Sequence, residues 1–586
     1  MTFTYDRDVD LTNKGLRTLP VTLYAHAGDI ESLTLSRNPT LDIPGDFVQL
    51  CTSLQELRLS NMCIRKVPQS VQNFTTLKRL DLSSNRISSV DDIALNRLPD
   101  LQQLRMQNNR MEKLPWYFIR LHMLRFLNIS NNKFQDLPEE ICKMRGLEEL
   151  DISFNMISQL PENLQSLRRL KVLIVVGNRI TRIPDSFRRL SNLEVFDCRR
   201  NNITELCGVG LLPTLEELLV DHNDVQALDI SGSLLKKIDI SYNDITQISV
   251  APGPVGRIPV SLTYLNVSSA KLSSLDDLAL GQLTSLEELI LDRNAFRVIP
   301  DSIGDLSQLQ LFSCSDNRIG ALPSSIDRLQ RLKRLDVHNN NLTEFPTALW
   351  NCGSLEHINM TSNFIAQIRL PSLPAMSATP PLPAVAIESA LSSMVTLVPG
   401  SPDREASTTG SLAVAVESAL SSTVTLVPGL QDRRTSTTGL LATSSWLLPP
   451  LVQSLQRLYL GANRLTDNAL PLLMVLRELR VLNLSFNDIH ELPRLFFMNT
   501  VLLEELYLSG NKLASLPTDD LPRLMKLKVL YLNGNRLLTL PQELGKVINL
   551  AVLDVGSNGL RYNISNWEFD WNWLVVHPLQ TGCAIF

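Results

Sequence analysis

The sequence predicts an α/β solenoid: a curved horseshoe with a parallel β-sheet on its concave face and short helical or 3-10 turns on its convex face. Three observations carry this. An asparagine returns at a near-constant interval, first as Asn85, Asn109, Asn132, Asn155, Asn178 and Asn201, then as Asn294, Asn317, Asn340 and Asn363, and again as Asn463, Asn487, Asn511, Asn535 and Asn558. Each sits in one apolar frame, L-x-x-L-x-L-x-x-N-x-I/L, as in Leu147, Leu150, Ile152, Asn155 and Ile157. Most intervals continue as L-P-x-x-I-x-x-L-x-x-L, as in Leu137, Pro138, Ile141, Met144 and Leu147. A fixed period of roughly 20–29 residues means stacked units that bury their apolar faces against one another.

The elements follow from this frame, which is that of a leucine-rich repeat. The segment x-L-x-L-x is a strand: its apolar residues alternate inward, and the residues between them line the concave side. The asparagine side chain is expected to bond backbone in the turn that follows, so that a ladder runs down the coil. Leucines three apart in the second half suit a short helical or 3-10 turn. The LPxxI form of that half resembles intracellular repeat proteins of the Shoc-2 type. Met62 and Ala270 stand where asparagine is expected, and local irregularity is expected there.

Four regions emerge. Residues 1–370 are a first block of repeats, opening on a degenerate unit with Val9, Leu11, Leu16, Leu19 and Pro20, in which Lys14 takes the asparagine slot. Within this block, Ala251-Pro-Gly-Pro-Val-Gly256 reads as a loop insertion. Residues 371–454 are a Pro/Ser/Thr-rich insert carrying a tandem duplication: Glu388-Ser-Ala-Leu-Ser-Ser393 recurs as Glu417-Ser-Ala-Leu-Ser-Ser422. Lacking the leucine frame, it is expected to be disordered and to leave the coil on the convex side. Residues 455–560 are a second block of repeats. Residues 561–586 are a Trp/Asn-rich junction followed by a divergent tail.

Bulk properties exclude several functions. The chain has 586 residues, 44% of them hydrophobic, with 55 basic and 60 acidic side chains and a net charge of −5. That mild charge gives no reason to expect nucleic acid or an anionic membrane as the main partner. The N-terminus lacks the pattern of a secretory signal, and no run of about 18 apolar residues could cross a membrane. Eight cysteines are scattered; Cys198 and Cys314 fall on strand positions and read as small buried hydrophobes of a reducing compartment. No phosphate-binding glycine loop, zinc motif or nucleophile elbow occurs, so no catalytic residue, cofactor site or metal site is assigned. Paired acids such as Glu148-Glu149 and Glu504-Glu505 recur at one repeat position, which marks a solvated strand edge.

The concave face is then the candidate site, and a protein is the expected partner. One column of the sheet reads Arg105, Asn128, Asp151, Ile174, Asp197, Leu219 and Asp239. On that face Val172, Ile174 and Val176 form an apolar patch flanked by Asp197, Arg199, Arg200 and Asp221. An apolar centre with charged flanks is the composition of a protein-binding surface. Tyr459, Tyr507 and Tyr531 recur in the central column of the last repeats and form a second contact candidate, unless they pack on one another. The terminal Cys583-Ala-Ile-Phe586 fits a prenylation box without a polybasic stretch before it.

The C-terminal repeats carry a more specific resemblance. Leu479-Arg-Val-Leu-Asn-Leu-Ser-Phe-Asn487, Leu503-Glu-Glu-Leu-Tyr-Leu-Ser-Gly-Asn511 and the run from Leu544 to Asn558 resemble the end of the repeat region of fungal adenylate cyclases. The tract Tyr562-Asn-Ile-Ser-Asn-Trp567 with Asp570-Trp-Asn-Trp573, and the opening Asn13-Lys-Gly-Leu-Arg-Thr-Leu-Pro20, are similar to the edges of that region. The resemblance implies a docking platform for a GTP-bound Ras-type small GTPase in cyclic AMP signalling. It also implies a cytoplasmic protein with peripheral association, through that partner, at the inner face of the plasma membrane. The sequence departs from the family at Leu574, before any phosphatase 2C-like or cyclase domain, which reads as a truncated product without catalysis of its own. The alternative is a stand-alone intracellular scaffold of Ras or phosphatase signalling, of the Shoc-2 type.

Overall fold

In the computed structural model, which describes residues 7–230, 234–250, 261–275, 280, 283–370 and 449–560, the repeat frame becomes a coil wherever it occurs. Strand Glu149–Asp151 buries Leu150, and Pro161 then starts a 3-10 helix, Glu162–Ser166, that buries Leu164. The proline fixes φ at the helix entry without sacrificing a needed N–H, and its carbonyl receives the Leu164 amide at 3.1 Å. The same device begins Asp185–Arg189, Asp301–Asp305, Ser324–Arg328 and Gln542–Lys546.

The described residues divide into two units, Met1–Phe296 and Arg297–Phe586. In the first, three-residue parallel strands pair in register from Asp8–Asp10 onward, so that Leu127, Leu150, Leu173, Phe196 and Leu218 stack as one apolar spine. In the second, the ladder runs from Leu311–Ser313 to Val552–Asp554. Strand His357–Asn359 pairs directly with Arg457–Tyr459, so coils separated by the long insertion are neighbours in space. The fold is already under way before Leu455: Pro450–Gln453 is a 3-10 helix that buries Leu451 and Val452. The tandem duplication, the 251–256 loop, the Trp/Asn tract and the terminal prenylation box lie outside the described residues.

The asparagine ladder is present and has a definite wiring. Nδ2 of Asn155 donates to Ile152 O at 2.9 Å in its own coil and to Ile129 O at 3.1 Å in the preceding one, while Oδ1 accepts the Phe134 amide at 3.1 Å. Where asparagines succeed one another, a carbonyl on this line serves two of them: Leu82 O accepts from Asn85 at 3.0 Å and from Asn109 at 2.9 Å. The expected irregularity at Met62 and Ala270 is present on the acceptor side. Beside Met62, Asn85 Oδ1 accepts both the Met62 and Ile64 amides at 2.9 and 3.1 Å, and Cys63 takes φ 56°. Beside Ala270, the buried Asn294 Oδ1 has no hydrogen-bond partner among the described residues. The Nδ2 donations persist. Around Met62, Leu35 O keeps Asn38 and Leu59 O keeps Asn85; around Ala270, Ile240 O keeps Asn243 and Val267 O keeps Asn294. The strands at both slots hold register on both sides.

One feature of the coil was not anticipated. Opposite the main sheet, Ala227–Ile230 and Gln247–Val250 pair as a separate two-stranded parallel sheet. The repeat between Asn223 and Asn243 is shorter than its neighbours and lacks the L-P-x-x-I segment, so the chain spans that side in extended form.

Candidate functional site

The outer face of the main sheet is built from the residues between the spine leucines. In the first unit the column Arg105, Asn128, Asp151, Ile174, Asp197, Leu219 and Asp239 is in register as read from the sequence. Val172 and Ile174 are half-buried, and Val195 lies beside Val172 on the next strand. Val176 is different. It is only 8% exposed, so it belongs to the turn's packing and not to an accessible patch. The apolar centre is thus Val172, Ile174, Val195 and Leu219.

The charged flank is more tightly organised than its sequence suggests. Asp197 is buried beneath Arg199, which donates to its two oxygens from Nε and Nη2 at 2.8 and 2.7 Å. Arg199 also lies 3.7 Å from Asp221, whose other oxygen meets His222 Nδ1 at 2.8 Å. The His222 ring stacks on Tyr242 at 4.4 Å, and the Tyr242 hydroxyl accepts from Arg293 at 3.1 Å. Asp197 is therefore a buried support for Arg199 rather than a contact residue. Arg200 is exposed with φ 55° in the turn and stands apart from this network. Ring stacking between successive turns leaves no periodic signal, so the pairing of His222 with Tyr242 is not legible in the sequence.

In the second unit Tyr459, Tyr507 and Tyr531 lie in one column, interrupted by Asn483. Tyr507 and Tyr531 stack at 5.3 Å with 15° between their planes. The Tyr507 hydroxyl donates to Glu505 at 2.7 Å; burial, and then this carboxylate, pushes the phenol well above its ordinary range. Tyr459 takes no part in that stack. With Arg334, Asp336, His338, His357, Asn359, Thr361 and Arg457 it lines a shallow concavity of about 390 Å³. His338 Nδ1 meets Asp336 at 2.7 Å, and Asn359 donates to the same carboxylate at 3.1 Å. Among the described residues no hydroxyl hydrogen-bonds His338 or His357, so no nucleophile–base pair is assembled here.

The paired acids are ion-paired across coils as a solvated edge requires. Glu216 meets Lys236 at 2.6 Å, and Glu504 meets Lys528 at 2.7 Å and Arg480 at 3.3 Å. Cys198 and Cys314 are fully buried. Among the described residues no cluster of His, Cys, Asp and Glu could hold a metal, and no helix is long and apolar enough to cross a membrane.

Comparison with known proteins agrees with this architecture. Family models described as "Leucine-rich repeat region" and "Leucine rich repeat" match residues 115–238 and residues 75–134, 260–319 and 477–537, and a further leucine-rich-repeat model matches 331–352. An adenylate cyclase of Podospora anserina is 38% identical over 603 aligned positions, covering 96% of this chain and 28% of the relative. An adenylate cyclase of Mycosarcoma maydis is 43% identical, again over 96% of this chain but 22% of the relative. The chain thus spans about a quarter of the length of these curated relatives. Among solved structures, YopM from Yersinia enterocolitica aligns with a TM-score of 0.60 at 22% identity, over 95% of this chain and 93% of that one, a likeness of fold. The chain belongs to the leucine-rich-repeat proteins, and over nearly its whole length it is similar to one part of the fungal adenylate cyclases.

Proposed function

We propose that this chain is a non-catalytic protein-interaction solenoid, the regulatory repeat region of a fungal-type adenylate cyclase, and that its partner is a Ras-type small GTPase in the GTP-bound state. The observation that carries the reading is similarity to adenylate cyclases along 96% of the chain, over parallel strands whose outer side chains form fixed columns. A broad parallel ribbon offers many side chains in fixed columns, which suits recognition of a macromolecule better than turnover of a small one. In this reading Val172, Ile174, Arg199, Arg200 and Asp221 contribute one contact area and Tyr459, Tyr507 and Tyr531 a second. The protein works in cyclic AMP signalling in the cytoplasm, reaching the inner face of the plasma membrane through its partner. It needs no cofactor and binds no nucleic acid.

The test is a pull-down of the purified chain with Ras loaded with a GTP analogue or with GDP. Tighter capture of the GTP-analogue form, and no cyclic AMP formed from ATP, is the expected result. Equal capture of both forms discards the reading. The stand-alone Shoc-2-type scaffold draws on the LPxxI repeat form alone and predicts instead co-capture of a phosphatase subunit.

A further inference from the structure

The concavity of the second unit carries an arrangement that the first unit avoids. Arg334, His357 and Arg457 are directly opposite one another on three successive parallel strands. Neighbouring strands lie about 4.8 Å apart, so the two arginines start roughly 10 Å apart with the imidazole between them. Arg334 and Arg457 are exposed, and His357 is half-buried between them. On the sheet of the first unit, by contrast, Arg58 and Arg79 share Glu56 at 2.5 and 2.7 Å, Arg199 is held by Asp197, and Arg105 lies over the Phe126 ring. Neither Arg334 nor Arg457 has an ion-pair partner among the described residues. Asp336, two residues from Arg334, is engaged by His338 and Asn359. The column is bounded by Leu311 on one side and Val481 on the other.

Arg334 and Arg457 are exposed cations about 10 Å apart, so their mutual repulsion is weak; what marks them is that no carboxylate pairs with either among the described residues. An arginine fork matches a carboxylate in plane and spacing. We infer that Arg334, His357 and Arg457 form a receiving site for an acidic segment of a protein partner, one that brings at least two carboxylates about 10 Å apart with apolar residues beside them. The occupant is a protein and not a polyanion such as nucleic acid, because Asp316, Asp336 and Glu505 lie close along the same face and the chain is net negative. The inference rests on the reading of the sheet as a partner-binding face.

The groups around His357 give the site a pH response. Burial, then Arg457 and Arg334, lower its pKa, and Glu356 opposes them; His338 and Asp336 face it from the neighbouring strand but are paired with each other. A carboxylate docked between the arginines reverses the field at the ring, so docking takes up a proton and strengthens as pH falls towards 6.

The experiment uses the full chain and its R334E/R457E variant, whose two sites are exposed, with an unchanged denaturation midpoint as the check on folding. The probes are a fluorescent Glu/Leu-rich peptide, its Gln isostere, an oligothymidylate, and Ras carrying a GTP analogue. We expect the Glu peptide to bind at least tenfold tighter than the Gln peptide, to lose that margin in the variant and in high salt, and to bind more tightly at pH 6 than at pH 7.5. Equal binding of Glu and Gln peptides, an unaffected variant, or tighter binding of oligothymidylate overturns the inference. Ras bound equally by both proteins, with no Glu-peptide preference, removes the receiving site but leaves the GTPase reading standing. A triad-dependent Glu peptide with no Ras binding does the reverse.

Discussion

Truncating one rung of the asparagine ladder, Asn155→Ala, tests what holds successive coils together. The side chain is 8% exposed. Its removal cancels donations to Ile152 O, Ile129 O and Ser153 O at 2.9, 3.1 and 3.2 Å and the acceptance of the Phe134 amide at 3.1 Å. The three carbonyls are not orphaned. Ile129 O keeps Asn132 at 3.0 Å, Ile152 O keeps Asn178 at 3.1 Å, and Ser153 O keeps the Asn131 amide at 2.7 Å. Among the described residues Phe134 N has no second acceptor. The cost is then one buried N–H left unmade, about 1–3 kcal/mol, plus two N–H donations exchanged for water, about 0.5–1 kcal/mol each, or about 2–5 kcal/mol together.

The loss is local in origin, so amide exchange at Phe134 is the sharpest assay. If its protection derives from the Asn155 carbonyl, exchange there accelerates about 30-fold or more, since 1.4 kcal/mol is tenfold. Protection should fall less in coils three or more repeats away, because solenoid stability passes through nearest neighbours. Unchanged exchange at Phe134, or a midpoint shift worth under about 0.5 kcal/mol, would refute the wiring.

Two further outcomes follow from buried groups. Asp520 is fully buried, with Oδ2 accepting the Phe497 amide and Oδ1 unpartnered; burial raises its pKa above 3.8, partly offset by the Phe497 hydrogen bond. A raised folded pKa contributes stability below pH 3.8 that is lost as pH rises through the folded value, so the non-ionising Asp520→Asn should match the wild type near pH 3.5 and equal or exceed it at pH 7. A variant that melts lower than the wild type at pH 7 contradicts this. Among the described cysteines, Cys63 is exposed, whereas burial pushes Cys142 up to about 11 and Cys51 and Cys352 up to about 12. A thiol reagent at pH 8 should therefore modify Cys63 within minutes and these three only as fast as the chain opens; early modification of Cys352, read by peptide mapping, would show that its coil is not closed.

The strands, the spine and the asparagine ladder were legible because each follows from a period. An apolar residue at every second strand position and one asparagine per coil leave a signal that no tertiary accident can imitate over so many units. The burial of Val176 was not legible. It lies two residues past Ile174, where strand alternation gives way to the turn and outward pointing no longer follows from the pattern. Asp197 was missed as a support because its burial depends on Arg199 folding back over it, a pairing two residues apart that any solvated strand could carry without making. The Arg334, His357 and Arg457 column was open to inspection in the sequence but begins one position before the spine leucine, ahead of the column between the leucines that draws attention first.

The same wiring explains why the fold is easier to read than the partner. Coil stacking is set by the inward leucines and by asparagines such as Asn155, whose donors and acceptor are all committed to backbone. The outward columns add to that stacking only where the residues allow, as Asn128 does by donating to Asp151 at 2.8 Å, so Arg105, Asn128, Asp151, Ile174 and Asp197 can succeed one another on adjacent strands while the register stays fixed. A face that carries little of the work of folding can be rewritten residue by residue for a binding partner. That is why a cationic column without ion pairs is informative: nothing in the stacking of the coils calls for it, and a ligand of opposite charge would lower its energy.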